Sequence, residues 1–176
     1  MQEKIAVKAK QVIPLLLIFS LPAVFSIMMR PITEDEIPRD FANVFEWVVV
    51  GLSMIIGCAI SFFMWTRGSI KIHNDQLVIE HGFYTFTARK NEFLNCKMRK
   101  VLNYSALQIL LKKNGIAGFG YYSGHFITQG DQRMFCAVSD RPIYVLELKE
   151  NEKFRYLAIS CSENMASGIL NWAKTD

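Results

Sequence analysis

The sequence predicts a membrane protein in two parts. Residues 1–66 read as a transmembrane helical hairpin, and residues 67–176 as an α+β domain. That domain is expected to be a bent antiparallel β-sandwich or partly open barrel of about seven or more strands, capped by a C-terminal helix. Three observations predict this. Trp47 to Thr66 is a run of twenty residues without charge or proline. A second uncharged run, Val12 to Met29, precedes it. After Thr66 the apolar residues alternate, and they return to helical spacing only at the C-terminus.

Composition agrees. The 176 residues are 51% hydrophobic, and the mean hydropathy of +0.18 is high for a chain with 20% charged residues. Residues 1–66 carry a net charge of −1 and residues 67–176 one of +5. A cationic domain tethered to a membrane is drawn toward anionic headgroups, although such charge also serves as an ordinary solvated surface. Cys58, Cys96, Cys136 and Cys161 are far apart and form no CxxC pair, and His73, His81 and His125 are not grouped. Neither a metal site nor another cofactor is expected.

The chain opens with a basic segment, Lys4, Lys8 and Lys10 against Glu3. The first span, 12–29, ends in Met28, Met29, Arg30 and Pro31, where a cleavable signal would need small residues, so the run is expected to be retained. Pro22 should kink it or free a carbonyl for a neighbour. The connection, 30–46, is polar, with five acids and two arginines. The adjacent Glu34, Asp35 and Glu36 read as a solvated loop. In the second span, 47–66, Trp47 and Trp65 stand about 27 Å apart on a helix, suited to the two interfaces of a bilayer. Ser53, Gly57 and Ser61 form a small-residue stripe, and Ser20, Ala23 and Ser26 supply a matching face on the first span. Lys4, Lys8, Lys10, Arg67 and Lys71 outnumber Arg30 and Arg39 of the loop, which points to both termini in the cytoplasm and the loop outside.

In the second part, Ser69 to His73 and Gln76 to Gly82 flank Asn74-Asp75, a two-residue turn. That register sets Ile72 opposite Leu77 and Ile70 opposite Ile79, four aliphatic side chains on one face. Tyr84, Phe86 and Ala88 continue as a third strand, with Phe93 to Val101 and Leu107 to Leu111 as fourth and fifth. Asn114 to Gly124 is dense in glycine and aromatics. A strand-like stretch with a Gly130-Asp131 turn follows it, not the helix a phosphate loop needs, so these glycines serve turns and bulges. Ile143 to Leu148 and Phe154 to Ile159 form a hairpin around Glu150-Asn151-Glu152, with Leu148, Leu146 and Tyr144 opposite Phe154, Tyr156 and Ala158. Finally, Ser162 caps a helix reaching Lys174, with Met165, Ile169, Trp172 and Ala173 on its apolar face.

Gly118 to Thr128, Met134 to Val138, Arg141 to Leu148 and Tyr156 to Ser160 ahead of the final helix resemble the bacterial pleckstrin-homology-like domains that follow one or two membrane spans. The resemblance covers about two thirds of the chain by pattern, without a diagnostic motif. It implies an assembly or interaction module. Phosphoinositide-binding relatives use basic residues about the first hairpin loop, which here is Asn74-Asp75, so the resemblance implies no ligand-binding residue.

The function expected is therefore a non-enzymatic, membrane-anchored module that binds a protein partner or itself through sheet edges and the loop bearing Phe119, Tyr121 and Tyr122. No nucleic-acid partner is expected. An alternative is recognition of anionic lipid by Arg89, Lys90, Lys97, Arg99 and Lys100. An enzyme acting on a membrane substrate is a third reading, although Ser123, His125 and Asp131 sit in no catalytic pattern.

Overall fold

The computed structural model describes residues 1–8, 10–14, 17, 18, 21, 39–93, 96–140, 142–148, 151 and 153–174. Two compact units emerge: Val12–Phe63, and a larger unit that joins Met1–Gln11 to Met64–Asp176. The first eleven residues, read from sequence as the lead into a span, thus belong to the β unit.

Helix α1 (Arg39–Thr66) runs for 28 residues, all but its last three in the smaller unit. Within it Trp47–Thr66, with a mean hydropathy of 2.2, is the one helix among the described residues long and apolar enough to cross a membrane. Its outer surface is apolar, with Trp47, Ile55, Phe62 and Trp65 exposed. Gly57 and Ser61 are buried and Ser53 half-buried, so the small-residue stripe lies on the covered side of the helix. Of the expected first span, residues 12–14, 17, 18 and 21 are helical. The remainder, with Ser20, Ala23 and Ser26, lies outside the described residues.

The larger unit holds two sheets and a helix. Strands β1 (Gln2–Lys4), β2 (Gly68–His73), β3 (Gln76–His81) and β4 (Tyr84–Arg89) form an antiparallel meander in that order. The Asn74-Asp75 hairpin has the expected register, Ile72 opposite Leu77 and Ile70 opposite Ile79, with Asn74 at φ 50°. β1 adds to the outer edge of β2.

The second sheet comprises β5 (Lys97–Val101), β6 (Ile109–Gly118), β7 (Tyr121–Thr128), β8 (Arg133–Val138), β9 (Ile143–Glu147) and β10 (Tyr156–Ser160), in the order β5-β9-β10-β8-β7-β6. β10 lies between β9 and β8 and runs parallel to β8, so the sandwich is not wholly antiparallel. The expected fourth strand is shortened because Lys90–Phe93 is a 3₁₀ turn. The fifth starts at Ile109, since Tyr104–Leu107 is also 3₁₀ and Gln108 takes a left-handed conformation. It then extends through Gly118, past the expected end at Leu111.

The β9–β10 pairing differs by one residue from the expected register: Leu146 faces Leu157 and Tyr144 faces Ile159. The Leu148 amide bonds to the Arg155 carbonyl, so the loop spans 149–154. Asn151 turns it by accepting from the amides of Lys153 and Phe154. The shift puts Leu157 and Ile159 in the core shared with the first sheet. Tyr156 and Ala158 go to the opposite face.

Ile70, Leu77, Ile79 and Phe86 of one sheet meet Phe135, Leu146, Leu157 and Ile159 of the other. Helix α2 (Glu163–Lys174) closes this core with Met165, Ala166, Ile169 and Ala173. Ser162 caps it, its hydroxyl accepting from the Met165 amide at 3.2 Å. Trp172 packs edge-on against Phe93 and donates to the Asn74 carbonyl at 2.8 Å, holding the helix over the first hairpin. The reverse face of the second sheet has its own core, Phe126, Met134, Val138, Ile143 and Val145, covered by Leu107 and Tyr104.

Candidate functional site

The glycine- and aromatic-rich segment forms the β6–β7 hairpin. Phe119 and Gly120 make its turn, at φ 51° and 79°. The alternation that follows separates the three aromatics. Phe119 is 64% exposed. Tyr121 is 2% exposed and stacks on His81 at 4.6 Å. Tyr122 is half-buried and stacks on Tyr104 at 5.6 Å. Tyr121 is therefore a core residue, closed off from any partner.

This turn sits where the chain leaves the β unit. Gln11, the last residue of the N-terminal segment, is buried, and its Nε2 donates to the carbonyls of Gly120, at 3.1 Å, and Ser139. The Ser139 hydroxyl donates to the Ala6 carbonyl at 2.6 Å. Lys8 pairs with Asp140 at 2.6 Å. At the other junction, the Gly82 amide donates to the Arg67 carbonyl. Ser123 Oγ donates to the His81 carbonyl at 2.5 Å, joining the β3–β4 turn to β7. Two turn tips thus share one pole with both departure points, and each carries an aromatic side chain, Phe83 at 47% and Phe119 at 64% exposed.

The basic residues selected from sequence do not converge. Arg89 pairs with Gln76 at the Asn74-Asp75 end of the first sheet, and the Lys90 amide donates to the Asp75 carbonyl. That is the full length of β4 from Phe83, about 17 Å. On β5, Lys97 and Arg99 face one side and Lys100 the other. Arg99 reaches the Ala106 carbonyl at 3.4 Å, and Lys100 pairs with Glu163 at 3.0 Å. Ser123, His125 and Asp131 form no relay, because the Ser123 hydroxyl is committed to His81.

A different constellation does converge. Lys113, His125, Phe126, Arg133, Lys153 and Phe154 line a cavity of about 240 Å³. Lys113 lies at a bulge in β6, between the pairings of Lys112 and Asn114. His125 contacts Phe154, Phe135 and Tyr84 at ring distances of 4.9, 5.9 and 6.1 Å. Burial holds the imidazole below its usual pKa, and the neighbouring Lys113 and Lys153 lower it further. No spacing in the sequence announces this grouping, since the cations come from three separate segments. Among the described residues, no three of His, Cys, Asp and Glu come together to hold a metal ion.

Compared with protein-family models, curated proteins and solved structures, the chain gives no match.

Proposed function

We propose that this chain is a non-enzymatic interaction module anchored in a bacterial plasma membrane by a two-span hairpin, with its pleckstrin-homology-like β unit in the cytoplasm. The observation that carries this reading is the shared membership of Gln11 and Met64 in one compact unit. A β unit with charged strands stays on one side of the bilayer. If α1 crosses, the segment between Gln11 and α1 must cross back. The excess of Lys and Arg on the β-unit side of the two spans supports a cytoplasmic placement. Facing sheets closed by a C-terminal helix support the family reading, while the parallel β8–β10 pair departs from it.

The departure pole then faces the lipid, with Phe83 and Phe119 suited to the interface. This reassigns Phe119 from partner contact to bilayer contact. Recognition of anionic headgroups by Arg89, Lys90 and Lys97 is disfavoured by their place at the far end of the strands.

The partner surface is the outer edge of β6, which ends the second sheet and presents Leu110, at 68% exposure, and Leu111. Lys112 and Lys113 and the two bulges of β6 oppose pairing with a second copy, which would bring like charges together. An acidic extended segment of another protein fits better. A photo-crosslinking residue at Leu111, used in native membranes, should give a discrete adduct that the same residue at exposed Thr85 does not. Equal adducts from both positions, or none from Leu111, would reject this surface.

A further inference from the structure

Apart from Lys113, which also belongs to the β6 edge, the cavity at His125 is lined by residues that neither the anchor nor that edge uses. Several exposed cations elsewhere in the β unit are answered by acids: Lys8 by Asp140, Lys71 by Glu80, Lys100 by Glu163 and Arg155 by Glu147. Lys113, Arg133 and Lys153 form no ion pair among the described residues, yet they line one cavity together. Asp131 lines the adjoining groove with Arg133 and Lys153 and forms no ion pair with either. Three like charges gathered at one cavity repel one another, and a bound anion would lessen that cost. The rings of Phe154 and Phe135 hold the imidazole of His125 in place from two sides.

We propose that this cavity binds a soluble small molecule through a phosphate-type dianion, held by Lys113, Arg133 and Lys153 with His125 at its base. Arginine supplies a planar fork for two oxygens and the lysines supply mobile point charges, a combination suited to a tetrahedral oxyanion. The volume, about 240 Å³, falls below the roughly 300 Å³ at which pockets for drug-sized ligands begin. It suits inorganic phosphate or a phosphorylated headgroup-sized molecule and excludes a dinucleotide. On the orientation proposed above, position argues against a lipid of the protein's own membrane. Arg133 opens β8, whose other end leads to Ser139 and the departure pole. The cavity therefore lies about 17 Å of strand from that pole.

The groups facing His125 are Tyr84 of β4, Lys113 of β6, Arg133 of β8 and Lys153 of the β9–β10 loop. All but the phenol are cations, so the empty cavity disfavours a proton on the imidazole and a bound anion favours one. Affinity should therefore rise as the pH falls toward the range where His125 titrates. Sulfate, which does not titrate there, isolates this effect from the protonation of phosphate.

The test uses the full chain in nanodiscs of zwitterionic lipid, titrated calorimetrically with inorganic phosphate, sulfate and glycerol 3-phosphate. Discs containing anionic lipid are compared without soluble anion. Arg133→Ala and Lys153→Ala remove exposed side chains and should not lower the melting temperature, while each weakens phosphate binding by about tenfold or more. His125→Phe should abolish the pH dependence of sulfate binding. Absence of binding by every soluble anion, equal affinity in both variants, or a response only to anionic lipid would overturn the proposal. A variant that melts early is replaced by Lys113→Ala, read in the same way.

Discussion

Gln11 and Gly120, 109 positions apart, are joined by a hydrogen bond of 3.1 Å from the Gln11 amide to the glycine carbonyl. The same side chain serves the Ser139 carbonyl and accepts from the Lys8 amide at 2.9 Å. One buried glutamine therefore ties the start of the chain to the β6–β7 turn and the β8–β9 connection. Gln11→Ala would leave buried carbonyls without a donor, at a cost of about 1–3 kcal/mol for each. The expected outcome is a lower melting temperature for the β unit. Amide exchange should speed up first at Gly120 and Ser139, before the Ile70–Ile79 core.

His81 is fully buried and stacked on Tyr121, and burial pushes its pKa from 6.5 down to about 3. Unfolded chains take up this proton near 6.5, whereas the folded one resists until about 3, so the unfolded state binds more protons between the two. Stability must then fall as the pH falls through that window, by about 2 kcal/mol at pH 5 relative to pH 7. His81→Phe keeps a ring against Tyr121 and removes the titrating group. Denaturant melts at pH 7 and pH 5 should show the wild type losing this stability and the variant keeping it.

Two glycines should respond in opposite ways to alanine. Gly124 has φ 110°, and a Cβ there would stand 2.5 Å from the Asn114 carbonyl oxygen and 2.7 Å from the Gly115 Cα. Both obstacles are backbone of the paired strand, so Gly124→Ala should cost several kcal/mol, of the order of 3. Gly168 sits within α2, and its added Cβ would meet only the mobile end of the Met1 side chain. Gly168→Ala gains up to about 1 kcal/mol of helix propensity, which offsets that displacement. Thermal melts of the two variants decide the contrast.

The order of these elements was largely legible in the sequence where turn chemistry and alternation agree. The Asn74-Asp75 turn set a register that holds residue for residue. The β9–β10 register slipped by one because the side chain of Asn151, two residues inside a longer loop, turns the chain where a three-residue turn was expected. Strand β1 went unseen because Gln2, Glu3 and Lys4 show no apolar alternation. The buried Ile5 and Val7 were the available signal, masked by the lysines around them. Tyr121 and Phe119 look alike as loop aromatics, and only the placement of the turn separates an inward ring from an outward one. The cavity cations were illegible, since strand pairing and a loop, not spacing, bring Lys113, Arg133 and Lys153 together.

Phe83 and Phe119 give a direct test of which pole meets the lipid. Phe119→Trp, placed in bilayers whose acyl chains carry bromine, should add emission that is strongly quenched relative to the parent protein. Leu110→Trp, 68% exposed and at the opposite end of β6 from the Phe119 turn, should add emission that bromine leaves intact. Equal quenching of the two would refute the assigned orientation.

The central claim is that the chain leaves the β unit at Gln11, crosses the bilayer twice and returns at Met64. Cysteines introduced one at a time at Gln2, Glu34 and Thr85, with Cys58 and Cys96 replaced by serine and the buried Cys136 and Cys161 retained, report it when intact cells meet an impermeant maleimide. The account predicts labelling of Glu34→Cys from outside, with Gln2→Cys and Thr85→Cys labelled only after permeabilisation. Labelling that puts Gln2→Cys and Thr85→Cys on opposite sides, or all three on one side, would contradict it.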